Sequence, residues 1–260
     1  MSSKKSPVLI IIICLLSVLL IVCGVLLYYV TTTKNNGTEK SRDNSVQDGD
    51  TEEELVDSVD YTIERDDISF ENKERELYLT QYYEKVVITT KGKNFKNINS
   101  LIQKQSDRFL DEAKENEYFV RDEEYISNMN YSNYCSAAVT KNSDGVLSIK
   151  MTRTWFMGGV SNIDSWGLNY DLTTGEELSI SDYLGMSKSE TEKYFKEESK
   201  KQIQDGFFED AAKTIDSYVL EDFNYYLKNN SIFICYSTYE LAPGVAGAII
   251  MEIPIPTTNK

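Results

Sequence analysis

Hydrophobic and polar positions alternate in three regimes along this chain. The first is an uncharged apolar run, Val8–Val30, VLIIIICLLSVLLIVCGVLLYYV, closed by Tyr28 and Tyr29. A helix of that length covers about 34 Å, enough for a hydrocarbon core of roughly 30 Å, and aromatic rings suit the interface. The second regime, residues 31–60, is polar and increasingly acidic, ending in Asp48-Gly49-Asp50-Thr51-Glu52-Glu53-Glu54. Low hydrophobicity and like charge predict a disordered, extended tether there. The third, from Tyr61 onward, carries the periodicities of a folded domain.

Within that domain Tyr61–Phe70 reads as a strand with a turn at Asp66-Asp67, and Leu77–Thr90, LYLTQYYEKVVITT, as a long β-branched and aromatic strand. Ile98, Leu101, Ile102, Gln105, Phe109 and Ala113 recur at helical spacing, predicting a helix over Ile98–Lys114 with Asn97 as its cap. Tyr134–Lys141 and Val146–Trp155 are strands joined through Asn142-Ser143-Asp144-Gly145, a hairpin signal. A second hairpin is expected from Trp166–Leu172 and Glu177–Ile180 around Thr173–Glu176. Ser187 and Glu190 have the spacing of a capping box and open a charged helix to about Gln204. A helix over Phe208–Leu220, a strand over Ser231–Tyr239, a loop over Glu240–Gly247 and a strand over Ala248–Pro254 complete the chain. Hairpins without steady βαβ alternation predict an α+β fold with an antiparallel sheet packed by helices.

Charge adds orientation. Only Met1–Pro7 precede the apolar run, and they carry Lys4 and Lys5, so the positive-inside rule places this tail in the cytoplasm and residues 31–260 outside. The expectation is a single-pass protein of the cell membrane, held through Val8–Val30, with its C-terminal domain extracellular. The run is too long for a typical cleaved signal peptide, and no small-residue cleavage site follows it. With 27 basic and 42 acidic residues the net charge is −15, which argues against nucleic acid as a partner and for a cationic one. The absence of histidine removes Ser-His-Asp and Cys-His catalysis and His-bearing zinc sites. No cofactor is called for. Of four cysteines, Cys14 and Cys23 lie in the apolar run. Cys135 and Cys235 lie in strand-like runs, where a disulfide and two buried thiols are both open.

Two segments carry unusual local sequence. Trp155–Leu184 contains Gly158-Gly159, Asn169-Tyr170-Asp171-Leu172, Thr174-Gly175, Leu178 and Ser181-Asp182-Tyr183-Leu184. Tyr225–Pro254 contains Tyr239-Glu240-Leu241-Ala242-Pro243, Gly247 and Ile253-Pro254. Together they resemble the extracytoplasmic domain pair of the RsiV-type anti-sigma factors, which bind lysozyme, and the non-catalytic region of the PdaC-type peptidoglycan deacetylases. The resemblance covers about Tyr61–Pro254 and divides the domain into an N-terminal part, 61–156, and an RsiV-like C-terminal part, 157–256, before a tail at 257–260. It implies a non-catalytic module of a Gram-positive cell envelope that binds or senses a lysozyme-like cationic hydrolase, or peptidoglycan. A seven-residue cytoplasmic tail cannot hold a sigma factor, so anti-sigma activity does not carry over; nor does deacetylation, for want of its domain and of any histidine.

The ligand contacts are expected on two loops. Phe156, Met157, Gly158 and Gly159 put apolar side chains on a backbone free to leave the sheet, and Tyr239, Pro243, Gly244 and Val245 make the second loop apolar too. The competing reading is an enzyme acting on glycans through paired carboxylates, drawn from Asp122, Glu123, Glu124, Glu176 and Glu177.

Overall fold

Two sheets and one long helix organise the residues that the computed structural model of this protein describes, 56–122 and 127–256. Strands β1 (Tyr61–Asp67), β2 (Phe70–Asn72), β3 (Leu77–Ile88), β4 (Met129–Ser143), β5 (Val146–Phe156) and β6 (Asn162–Asp171) form the first sheet, in the order β1-β3-β4-β5-β6 with β2 also on β3. Helix α1 (Lys93–Asp122) connects β3 to β4. Strands β7 (Asn224–Lys228), β8 (Ser231–Tyr236) and β9 (Ile249–Pro254) form a second, antiparallel sheet, preceded by helices α2 (Ile180–Leu184), α3 (Lys188–Lys200) and α4 (Ala211–Ser217). The fold is α+β, as expected. The first sheet, however, is mixed, because β3 and β4 run parallel. A helix of 30 residues carries the chain back along the sheet, and its return produces the parallel pair.

Helix α1 is longer than its central periodicity predicts. Phe95, Ile98, Ile102, Ser106, Phe109, Ala113 and Val120 are buried, so the apolar stripe extends a turn earlier and two turns later than Ile98–Lys114. Asn97 is therefore inside the helix, and its amide donates to the Gly175 carbonyl at 2.8 Å rather than capping. Asn99 clasps the end of β3, accepting from Ile88 N–H at 2.8 Å and donating to Ile88 C=O at 2.9 Å. Beneath the helix lie Tyr83, Val86, Cys135, Leu147, Ile149, Met151 and Tyr170. The opposite face of β5 and β6 receives the second sheet.

That second contact is polar and close. A Cβ on Gly167 of β6 would lie 1.7 Å from the Tyr225 carbonyl oxygen, so β7 crosses directly over a bare backbone. Asn169 donates to the same carbonyl at 2.8 Å, the Ser148 hydroxyl donates to Asn169 Oδ1 at 2.6 Å, and Leu227 N–H donates to Ser148 Oγ at 2.8 Å. The second core gathers Phe195, Ile215, Leu227, Ile232, Ile234, Tyr236 and Leu241. Ser187 and Glu190 form the expected capping box at the start of α3, which ends at Lys200.

Several boundaries differ from the sequence reading. Residues 56–60, expected in the tether, pack on the domain: Val59 is buried, and its N–H and C=O both bond the Asn142 side chain. The division expected between Phe156 and Met157 falls between two paired strands of one sheet. Glu177–Ile180 makes a single bridge, Tyr170 to Glu177, and then enters α2. The strand β7 was not expected. The apolar run Val8–Val30, the tether up to residue 55 and the tail at 257–260 lie outside the described residues. Among the described residues no helix is long and apolar enough to cross a membrane.

Candidate functional site

The two loops singled out by sequence meet at one end of the first sheet. Phe156 closes β5, and Gly158 and Gly159, both exposed and at φ of 93° and 89°, turn the chain into β6. The second loop leaves β8 and is fastened to the start of β6: Thr238 N–H donates to Asp164 Oδ1 at 2.8 Å, and the Thr238 hydroxyl donates to the Ile163 carbonyl. Tyr239, at φ 70°, lays its ring across the Gly244 backbone, where a Cβ would sit 2.1 Å from the ring. Leu241 and Ala242 are buried and anchor this loop to the second core. Its tip then has no choice but to face water.

The expected contact residues divide accordingly. Tyr239 is 54% exposed and Val245 98%, with Pro243 exposed beside them. Phe156 and Met157 turn inward instead. Phe156 stacks on Tyr131 with ring centroids 6.5 Å apart, and Met157 packs on the cluster of Leu77, Leu79, Val120 and Tyr131. The apolar side chains that the first loop does present are Val160 and Ile163, which sequence reasoning passed over. The rim is acidic. Glu240 accepts from Ser237 N–H, and partial burial, with Asp164 nearby, holds its carboxyl above the usual range.

A polar seam runs inward from this end. Arg153 pairs with Glu112 of α1 through two of its nitrogens, and its Nε donates to Asn133 Oδ1 at 2.8 Å. Asn133 reaches Gln81, whose amide donates to the Ala113 carbonyl at 2.8 Å under the helix. Its guanidinium also lies over the rings of Phe109 and Trp155. In the strand pattern these polar groups were visible only as interruptions, Gln81 and Asn133 among apolar neighbours.

The carboxylates of the enzyme reading do not assemble as a set. Asn97 reaches the Glu176 side chain, whereas Asp122 ends the same helix 25 residues on, roughly 37 Å along the axis. That separation is far beyond the 5–10 Å or so of a glycosidase pair. Glu123 and Glu124 lie outside the described residues, and Glu177 lines a cavity against β6. Among the described residues no cluster of three or more His, Cys, Asp or Glu side chains is placed to hold a metal ion.

Cys135 and Cys235 are buried free thiols, one in each sheet, and burial pushes each up to about 12. Against an ordinary thiol this lowers the thiolate fraction about a thousandfold. We expect neither to react with iodoacetamide in the folded domain and both to react after denaturation, read by intact mass. Fast alkylation of either before unfolding would contradict the buried placement.

Comparison with known proteins finds one family model that matches the C-terminal third of the chain and a likeness of fold. No curated protein matches this chain. A crystal structure of a DUF3298 family protein from Pseudomonas aeruginosa PAO1 is similar at 16% identity and TM-score 0.48, covering 77% of this chain and 93% of that one. A crystal structure of a DUF3298 family member from Bacteroides fragilis NCTC 9343 is similar at 16% identity and TM-score 0.50, covering 77% of this chain and 92% of that one, a likeness of fold alone. Residues 171–256, from the end of β6 through β9, match the family described as "Protein of unknown function (DUF3298)".

Proposed function

We propose that this chain is a membrane-anchored, non-catalytic module that displays its domain outside the cell and binds a cationic wall hydrolase of the lysozyme type. The observation that carries this reading is that Tyr239 and Val245 are exposed on one loop and Val160 and Ile163 on another, the two loops tied together through Thr238. Val245 is 98% exposed although Leu241 and Ala242, a few residues earlier, are buried. Loops held by a rigid sheet are the usual carriers of recognition, and grouped exposed apolar side chains mark contact surfaces. Asp164 and Glu240 edge the group with negative charge, and the whole chain is at −15, so a cationic protein would be steered to this end. The resemblance to lysozyme-binding extracytoplasmic domains supports the same ligand.

The test is calorimetric titration of the full chain in mild detergent with lysozyme at low and moderate salt. We expect a Kd of about 1 μM or tighter at low salt, weakening as salt rises. A Tyr239→Ala/Val245→Asp variant should bind at least about tenfold more weakly. Absence of binding at every salt would overturn the ligand, and unchanged affinity in a folded variant would overturn the loops.

A further inference from the structure

Strand β1 is the outer edge of the first sheet, and it pairs with β3 without a break in register from Tyr61 to Asp67. The bonds at its two ends fix which way its backbone points. Thr89 N–H donates to Asp60 C=O at 2.9 Å and Ile68 N–H donates to Gln81 C=O at 3.0 Å, so the even-numbered residues turn their backbone groups toward β3. Tyr61, Ile63, Arg65 and Asp67 therefore turn theirs outward. Ile88, opposite Tyr61, agrees with this: its N–H and C=O go to the Asn99 side chain instead. Among the described residues nothing hydrogen-bonds the outward groups of β1.

Residues 61–65 are exposed on both alternating faces of the strand, with Tyr61 at 39% and Ile63 at 47%. An open, regular edge is a template for another strand, and proteins ordinarily blunt one with proline, lysine or a bulge. Strand β1 has none of these. Its side chains are instead complementary to themselves. In the antiparallel pairing centred on Ile63, Ile63 meets Ile63, Tyr61 meets Arg65 on either side, and Thr62 meets Glu64 on the other face. That sets an apolar pair at the middle, an aromatic–cation pair at each flank and a hydroxyl against each carboxylate. Centring on Glu64 or on Arg65 would set like charge against like. Arg65 is already held in place, its guanidinium 3.7 Å over the Tyr82 ring and 2.9 Å from the Asp67 carboxylate. Just beyond this span Asp60 would meet Asp66, whose charge Lys85 holds at 2.9 Å.

We propose that two copies of this chain pair antiparallel along β1, Ile63 against Ile63, and so join their first sheets into one. Tyr61 of one copy and Arg65 of the other exchange both backbone bonds, as do the two Ile63 residues. The same patch serves on both copies, so the contact closes at two. The occupant follows from the edge itself: unpaired backbone calls for a strand, and the side chains match β1. Each copy carries a net charge of −15, so repulsion opposes pairing at low salt and screening favours it. That is the reverse of the salt dependence expected for a cationic ligand. The edge uses none of the exposed loop side chains, so its test stands apart from lysozyme binding.

The experiment is sedimentation equilibrium of the full chain in mild detergent at low salt and at about 0.5 M salt. We expect a monomer–dimer equilibrium with a Kd of about 0.1 mM at the higher salt, weakening about threefold or more at the lower. Ile63→Pro removes an outward N–H and leaves the β3 bonds of Thr62 and Glu64 in place, so it should weaken the dimer at least about tenfold without lowering the melting temperature. Ile63→Cys, in a chain carrying Cys14→Ala and Cys23→Ala, reads the register. Facing residues of a hydrogen-bonded pair lie about 5.5 Å apart at Cα, within reach of a disulfide, so mild oxidation should give a covalent dimer. Arg65→Cys in the same chain sets its two thiols roughly 13 Å apart along the strands and should stay uncrosslinked. A monomer at every concentration and salt overturns the proposal and leaves the edge to a strand of a different protein. Equal dimerisation of a folded Ile63→Pro overturns it, as does crosslinking of Arg65→Cys as readily as Ile63→Cys. Should Ile63→Pro unfold, the pair of cysteine variants decides alone.

Discussion

Gly167→Ala is expected to destabilise the domain by about 3 kcal/mol or more, with thermal unfolding beginning roughly 10 °C earlier. The Cβ that alanine brings would lie 1.7 Å from the Tyr225 carbonyl oxygen, 2.5 Å from its carbon and 2.9 Å from Tyr226 Cα. All three are backbone atoms, so no side chain can swing aside. Relief requires β7 to lift from β6, which pulls Asn169 from the Tyr225 carbonyl and Leu227 N–H from Ser148. A buried Ser148 with a broken partner adds its own cost. Circular dichroism melts of the wild-type and variant chains decide this, and a change below about 1 kcal/mol would mean that the two sheets are not seated as described.

A chain begun at Tyr61 should be less stable than one begun at Val56 by about 3 kcal/mol. Burial of Val59 contributes roughly 2 kcal/mol. Its removal also strands Asn142, which bonds Val59 N–H at 3.0 Å and C=O at 2.8 Å, and takes the Asp57 partners from the β4–β5 turn: Gly145 N–H to the Asp57 carbonyl at 3.0 Å and Asp144 N–H to its carboxylate at 2.8 Å. Each such bond is worth about 1 kcal/mol, partly offset by the entropy of ordering the segment. Denaturant unfolding of the two chains reads the difference. Equal midpoints would restore the tether as far as residue 60.

These two sites show where the sequence was and was not informative. Local devices were plain in the residues: the capping box at Ser187 and Glu190, the turn at Asp144-Gly145, the alternation of β5 and the long apolar β3. What was missed depends on partners distant in sequence. Val59 follows an acidic run with only Leu55 and Val56 as apolar neighbours before it, and Asn142, 83 residues on, fastens it to the core. Strand β7 was hidden because Asn229-Asn230 turns without a glycine, Asn229 adopting φ 52° itself. The parallel pairing of β3 and β4 follows from the length of α1, whose later turns bury only Ala113 and Val120 and so show little periodicity. At the loop end, hydrophobicity alone could not separate Phe156 and Met157, which find Tyr131 and its neighbours, from Val245, which finds nothing.

The central claim is that the domain recognises a cationic hydrolase through the loops at the end of the first sheet. Amide hydrogen exchange on the full chain, with and without saturating lysozyme, addresses it most directly. The account predicts slowed exchange across residues 157–165 and 237–247, with β1, β2 and the exposed face of α1 unchanged. Protection confined to β1, β2 or α1, or no protection at saturation, would contradict it.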